Sequence, residues 1–422
     1  MPRGAGEKYI LSPFFSGAAV VRLPDAPWRL RPGLDRLLAA LDAGKGETRF
    51  VGGCVRDTLL GLDASDVDLA TRIAPEEVIR RLGKARIKAV PTGLAHGTIT
   101  AVIGGQPVEV TTLRRDVATD GRRATIEYTE DWREDAARRD FTINALSADP
   151  QSGEVFDYFG GLDDLKARRV RFIGDPLQRI AEDHLRILRF FRFHARFGIG
   201  EPDPAGLMAC AARANDLMAL SRERIADELL KLLALPDPTE TVRQMIAHGI
   251  FTPVLPEIES AEQLARLVRR ERDARVAPNP VRRLAALLPR HQPWDADLVS
   301  SRLRFSRANR ARLIGASLDL NERTPREAAY YLGSETAIDQ YLISAERDEE
   351  AVAAALDLSK WTPPALPISG GAIVKRGIEK GPQVAGLMLQ IEARWVQEGF
   401  PERDRVNEIA DEAVAQALRS SQ

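Results

Sequence analysis

Alternating apolar runs occupy only the first part of this chain. They fade after Gly161, and the apolar spacing then becomes three and four residues to the end. From Arg49 to about Asp149, the β-like runs RFVGGCV, DVDLAT, HGTITAVI, PVEVTTL and FTINALSA are separated by turns. PEEVIRRLGK interrupts them as a helix with Pro75 at its first position. The first half is therefore read as a head with a small mixed β-sheet. Beyond it, Asp175 and Pro176 open a single predicted helix, LQRIAEDHLRILRFFRFHARFG, with Ile180, Ile187, Leu188 and Phe191 on its apolar side and its end at Gly198. RERIADELLKLLAL, TETVRQMIAHGI, AEQLARLVRRERDAR and PQVAGLMLQIEARWVQEGF continue in the same style, with breaks near Pro236, Pro278, Pro325 and Pro363. The class is α+β with strands and helices segregated. The 422 residues divide into an extension (1–27), the head (28–150), a neck (151–235), a basic helical body (236–330) and a helical tail (331–422).

A net charge of -1 argues by itself against a nucleic-acid partner, but its distribution argues the other way. Residues 165–198 carry 9 basic and 3 acidic groups, residues 261–330 carry 15 and 8, and residues 331–422 carry 9 and 15. Of the 60 cations 51 are Arg, the side chain that forks onto phosphates and carboxylates. Arg269, Arg270, Arg282, Arg283, Arg302, Arg304, Arg307 and Arg310 are candidates for a phosphate track, with solvated helix faces the alternative for half of them. In the acidic tail, where Gly381 and Pro382 open a helix, Lys375, Arg376 and Lys380 are local cations within reach of RNA. Two cysteines, Cys54 and Cys210, make no disulfide framework or zinc spacing, which fits a reducing cytoplasm. The apolar stretch from Tyr9 to Val21 is broken by Ser12, Pro13, Ser16 and Gly17 and is read as a loose extension. No run is long enough for a membrane span.

The chemistry gathers in the head. Asp66 and Asp68 stand two apart in a strand pattern, so both carboxylates face one side and repel unless a cation sits between them. A solvated strand end explains a bare pair of this kind equally well. Ten residues earlier, however, stands FVGGCVRD. Gly52 and Gly53 there allow close backbone approach to a ligand, and Arg56 follows in the first helical turn, facing the same anion. Glu109, between Val108 and Val110, is a candidate third carboxylate, with a hydrophilic strand face as the alternative. Oxygen ligands of this kind suit Mg2+. In ARRDFTINALS, Arg139 is read as a clamp on a triphosphate and Asp140 as an acceptor for a ribose hydroxyl, ahead of core residues Phe141, Ile143, Ala145 and Leu146. His96 is read as structural, and His184, His194, His248 and His291 lack the neighbouring aspartates of a phosphohydrolase site.

FVGGCVRD, DVDLAT, VPTGLAHGTITAV, VEVTTLRRD, ARRDFTINALS and RIAEDHLRILRFFRF, in this order from about Arg49 to Leu233, resemble the class II CCA-adding enzymes. These tRNA nucleotidyltransferases are relatives of bacterial poly(A) polymerases in the polymerase-β-like nucleotidyltransferase superfamily. The resemblance implies a nucleotidyltransferase head and C, C and A addition to the 3′ end of tRNA from CTP and ATP. It assigns triphosphate contacts to Gly53 and Arg56, metal ligation to Asp66 and Asp68, a nucleotide contact to Arg139, a ribose contact to Asp140 and a catalytic acid to Glu109. It also implies that the tRNA 3′-OH attacks the α-phosphorus with the help of two metal ions. Glu182, Asp183, Arg186, Arg189 and Arg192 fall on the motif that selects the base. On one helix, Asp183, Arg186 and Arg189 would follow each other at about 60° and form a stripe.

A carboxylate accepts hydrogen bonds and a guanidinium only donates. Such a pair therefore suits the amino donor and ring-nitrogen acceptor of cytosine and adenine and mismatches uracil and guanine. The polar segment around Gly121 matches a loop linked to the change from C to A addition. A poly(A) polymerase, an enzyme adding only A, and a non-catalytic RNA-binding protein are the alternatives.

Overall fold

The computed structural model describes residues 20–64, 66–119, 124–289, 293–320 and 323–420, with the backbone alone at 116–119, 124–125, 293 and 420. The readings on residues 1–19, on Gly121 and on His291 lie outside the described residues. The chain forms two compact units, residues 1–256 and 257–422.

The first unit opens with α1 (Leu34–Ala40), β1 (Thr48–Val51), α2 (Gly53–Leu59), β2 (Asp68–Thr71) and α3 (Pro75–Lys84). It continues through β3 (Lys88–Gly93), β4 (Thr98–Ile103), β5 (Gln106–Thr112), β6 (Arg114–Thr119), β7 (Ala124–Tyr128), α4 (Trp132–Ala137), β8 (Ser147–Ala148) and β9 (Val155–Phe156). Seven strands form one sheet in the order β3-β4-β5-β2-β1-β8-β9, and β6 and β7 form a separate hairpin. β2 and β5 run parallel, with Asp68 opposite Glu109, while the other neighbours are antiparallel, so the sheet is mixed as expected. Strand alternation appears in β4, where Ile99, Ala101 and Ile103 are buried and the residues between them are partly exposed. Pro75 opens α3 as predicted. FTINALSA does not form a continuous strand: Thr142–Asn144 is a 3-10 turn, and Ser147–Ala148 joins the sheet.

Helices complete this unit: α5 (Gly161–Lys166), α6 (Pro176–Glu182), α7 (Arg186–Phe197), α8 (Pro204–Ala212), α9 (Arg222–Leu233) and α10 (Thr239–Ala247). Asp175 caps α6 by accepting from Leu177 N at 2.8 Å, and Gly198 ends α7, both as read from the sequence. The single helix predicted between them is in fact two. Asp183 is extended (φ −153°, ψ 106°) and its carboxylate accepts from Leu185 N at 3.1 Å, which starts α7 afresh. The aromatic side of α7 fixes it to the head, with Phe141 centred 4.9 Å from Phe172 and 5.3 Å from Phe193. Phe190 stacks on Phe172 at 5.4 Å. Gly206 on α8 is required there, because a β-carbon would stand 2.7 Å from the Phe190 ring. Full burial of each such ring is worth about 1.5–3 kcal/mol, so the arginines on the other side of α7 stand on a firm base.

Among the described residues of the second unit, helices are joined by turns and loops and no strand occurs. It contains α11 (Glu262–Asp273), α12 (Pro280–Ala285), α13 (Pro293–Arg302), α14 (Arg307–Ser317), α15 (Pro325–Leu332), α16 (Ser334–Ser344), α17 (Asp348–Leu358), α18 (Gly370–Val374), α19 (Pro382–Gln397) and α20 (Arg403–Ser420). Several of its arginines are structural, which corrects the phosphate-track reading. Arg282 and Arg283 donate to the two oxygens of Glu271, each at 2.8 Å, and all three residues are no more than 2% exposed. Arg282 also meets Asp339 at 3.0 Å, which Arg312 holds from the other side at 2.7 Å. Arg270 is buried against Asp348 at 2.8 Å and two carbonyls of α16 and its end, Leu342 and Ala345. Arg302 pairs with Glu257 and Arg310 with Asp297, while Arg269, Arg304 and Arg307 are exposed. In the tail Arg376 is bound to Asp411 and Asn407, and Lys375 and Lys380 are exposed. Removing one partner of a buried ion pair strands the other charge at about 3–5 kcal/mol. Glu271→Ala is therefore expected to lower stability by about that much in urea unfolding, with no loss of nucleotide binding by protein that remains folded.

Candidate active site

The backbone of the cleft turns on Gly52. With φ +69° and ψ −123°, it occupies a region that side chains with a β-carbon rarely adopt. An added β-carbon there would sit 3.0 Å from Nη1 of Arg139. Gly52→Ala combines backbone strain of about 1–3 kcal/mol with displacement of Arg139. The expected result is a lower thermal midpoint together with a raised KM for every nucleotide, measured by steady-state addition.

Gly52, Gly53, Arg56, Asp66, Asp68, Arg139, Asp140, Asn144, Asp183, Arg186, Arg189 and Phe193 together line an open cleft of about 580 Å³. Ten of these are residues that the sequence singled out; Asn144 and Phe193 are new. Asp66 precedes β2 and Asp68 begins it, with buried Val67 between them, so the two carboxylates share a side although only the second lies in the strand. Burial first, then Glu109 and Asp66, push the Asp68 carboxyl up to about 6 against the opposing pull of Arg139. Asp68, a half-buried oxygen donor whose charge is disfavoured, standing beside exposed Asp66, fits a hard divalent cation, which would offset that cost. Glu109 stands beside Asp68 on β5 and is exposed rather than lining the cleft. Among the described residues no three His, Cys, Asp or Glu side chains form a group able to hold one ion.

One hydrogen-bonded chain forms the wall. Arg56, 5% exposed, donates to Asp57 at 2.7 Å and to Asn144 Oδ1, and it lies over the Phe197 ring at 4.1 Å. Asn144 Nδ2 donates to Asp140 Oδ1 at 2.9 Å, and Arg189 donates twice to Asp140 Oδ2, at 2.8 and 2.6 Å. Phe141 N also donates to Asp140 Oδ1 at 2.9 Å, so the acceptor positions of this carboxylate are filled. Burial pushes Asp140 up, but Arg189 and Asn144 outweigh it and hold the carboxyl below its ordinary value. Asp140 thus orients Arg189 here; the ribose-acceptor reading requires an exchange of partners. Asp135, buried, holds Arg138 at 2.9 Å and Arg139 at 3.4 Å, which steadies the arginine beside Gly52.

Asp183 and Arg186 face the cleft from either side of the helix break. Asp183 accepts from Arg224 of α9 at 2.8 and 3.0 Å. Arg186 donates to Glu182 at 2.6 Å, to Arg179 O at 2.9 Å and to Arg138 O at 3.0 Å, leaving donors for a ligand. Asp183, Arg186 and Arg189 of the expected stripe all line the cleft, whereas Glu182 and Arg192 of the base-selecting motif do not. Glu182 is occupied by Arg179 and Arg186. Arg192 has rotated about 120° from Arg186 along α7 and is bound to buried Glu228 at 2.5 Å. Glu228 and Arg224, one turn apart on α9, were not found from the sequence, although a glutamate in phase with Ile225 and Leu229 was a signal. His96 is exposed, does not line the cleft and offers its backbone carbonyl to Arg114.

Residues 48–171 match the Poly A polymerase head domain, and residues 201–262 match the family described as the probable RNA and SrmB-binding site of polymerase A. The human mitochondrial CCA tRNA nucleotidyltransferase 1 is 34% identical over 374 residues, 84% of each chain. A CCA-adding enzyme of Levilactobacillus brevis is 31% identical over 387 residues, 86% of this chain and 93% of that one. The fold is also that of the Bacillus stearothermophilus CCA-adding enzyme in complex with CTP (TM-score 0.70, 24% identity, 92% of this chain and 100% of that chain). The Thermotoga maritima CCA-adding enzyme complexed with tRNA is similar at a TM-score of 0.70 and 22% identity, over 92% and 97% of the two chains. Identity at this level over most of both chains places this protein in the family of CCA-adding tRNA nucleotidyltransferases.

Proposed function

We propose that the protein adds C, C and A to the 3′ end of tRNA from CTP and ATP without a nucleic-acid template, releasing pyrophosphate. The observation that carries this reading is the cleft itself. An acid pair, Asp66 and Asp68, shares it with phosphate-directed Arg56 and Arg139 and with the base-directed pair Asp183 and Arg186. Asp66 and Asp68 would hold the divalent ions, assigned as Mg2+, which when bound lower the pKa of the primer hydroxyl and neutralise charge on the phosphates.

The remaining work is positioning. Arg139, beside the Gly52 turn, and Arg56 bind the triphosphate, and the Asp135 carboxylate keeps Arg139 from swinging out of the cleft. Asp183 accepts from the exocyclic amine of cytosine or adenine, Arg186 donates to the neighbouring ring nitrogen, and uracil or guanine mismatches both. Asn144 and Asp140 keep Arg56 and Arg189 in register along the wall. Exposed Arg269 and Arg307 are the body residues best suited to tRNA phosphates. A reducing, cytoplasmic setting belongs to the same reading and is supported by two free, buried cysteines.

A tRNA transcript lacking its terminal CCA, incubated with CTP alone, ATP alone or both, tests the assignment. Two additions with CTP alone and a third only when ATP is also present are expected. Extension of arbitrary RNA by ATP alone would make the protein a poly(A) polymerase, and addition of A only to tRNA already ending in CC would make it an A-adding enzyme.

A further inference from the structure

We infer that His184 is a positioning residue for base choice, an inference that rests on the reading of Asp183 and Arg186 as the base-directed pair. Asp183 faces the cleft because α6 stops at Glu182 and the chain is extended at the next residue. A helix that stops leaves its last carbonyls without the amides that the following turn would have supplied. Here side chains from beyond the break take two of them. His184 Nδ1 lies 3.0 Å from Ile180 O, and Arg186 Nη1 lies 2.9 Å from Arg179 O.

Arg186 belongs to the cleft, whereas His184 does not line it. The imidazole is largely buried. Its Nδ1 stands 3.6 Å from Asp216, which itself pairs with Arg213 at 2.5 Å. Ile180 O is the carbonyl that the His184 amide would bind if α6 continued for another turn. The ring donates in place of that amide, so the break is satisfied without helical propagation. When the ring is removed, the helical arrangement becomes the ready way to satisfy Ile180 O. It would turn Asp183 out of its extended conformation, away from the Leu185 amide and from Arg224, which now fix its carboxylate. His184 thus acts on base selection through the backbone at Asp183, without touching the nucleotide.

The test compares His184→Ala, His184→Leu and His184→Asn in the full chain, using tRNA lacking CCA and measuring kcat/KM for CTP and for UTP. Ala and Leu are expected to lower the CTP preference by about 10- to 100-fold, the scale of a displaced recognition group, with KM for CTP changing by less than about 3-fold. Asn can place its amide nitrogen near the Nδ1 position and should keep the preference within about 3-fold of the parent. Leu retains volume and keeps the test open if Ala folds poorly. A preference unchanged in Ala and Leu overturns the inference, as does an Asn variant that loses as much as Ala. Asp183→Ala, run in parallel, separates the two layers. If it relaxes selection while the His184 variants do not, the strut alone is wrong. If it too leaves selection unchanged, the base-directed reading of Asp183 has failed.

Discussion

Asp68→Asn is expected to lower single-turnover addition of C to tRNA by about 10³-fold or more, the consequence of losing several kcal/mol of charge stabilisation at the reacting phosphate. Asn keeps the shape of the side chain at the head of β2 and removes only its charge. The same substitution should not destabilise the protein in the absence of divalent ions. Burial, Glu109 and Asp66 raise the carboxyl of Asp68 to about 6, so at neutral pH its charge is carried at a cost, and the neutral amide is relieved of that cost. The thermal midpoint of metal-free Asp68→Asn protein is therefore expected to equal or exceed that of the parent at pH 7. Added divalent ion should raise the parent midpoint more than that of the variant. Loss of activity together with an unfolded variant would mean that Asp68 is structural. Loss of activity with the midpoint preserved, and with a weakened response to the ion, identifies it as a ligand. Asp66→Ala should give the same pattern with a smaller change in stability, because Asp66 is exposed.

What the sequence allowed to be read divides along a physical line between local and long-range causes. The strands of the head and the helices from α9 onward are written in their own apolar spacing, and Pro75, Asp175 and Gly198 marked boundaries that the fold keeps. The break at Asp183 was hidden because Ile180, Leu185, Ile187 and Leu188 are all buried, so the apolar pattern runs across it without interruption. Its causes are non-local: Arg224 lies 41 residues away, and the carbonyl of Arg138 binds Arg186 from 48 residues away. Arg270, Arg282 and Arg283 of the second unit drop out of the phosphate track for the same reason. The acids that bury Arg282 and Arg270, Asp339 and Asp348, come from helices 57 and 78 residues further along, and a charge count cannot tell an arginine that meets solvent from one that meets a carboxylate. Asn144 was legible in principle. A lone amide inside the buried run from Phe141 to Ala148 has to be satisfied by something, and here its partners are Arg56 and Asp140.

Asp183→Asn and Arg139→Ala should separate base choice from triphosphate binding. Asp183 offers only acceptors to a base, and Arg224 and the Leu185 amide hold it so that it cannot turn aside. Asn at this position presents a donor as well, so the oxygen of uracil finds a partner where it previously met a carboxylate. Each unpaired or repelled polar contact costs about 1–3 kcal/mol, and two such mismatches amount to roughly 10²- to 10⁴-fold discrimination. Asp183→Asn is therefore expected to reduce the CTP to UTP ratio of kcat/KM by about 10²-fold. Its KM for CTP should stay within about 3-fold of the parent, since the phosphate contacts are untouched. Arg139 stands against the Gly52 turn and is read as a phosphate clamp, so Arg139→Ala should raise KM for CTP, ATP, UTP and GTP by similar factors and leave their ratios alone. The comparison is decisive because both residues line one cleft and both substitutions weaken the reaction. If Asp183→Asn depressed all four nucleotides equally, the carboxylate would be holding the fold of the neck and the choice of base would have to lie elsewhere.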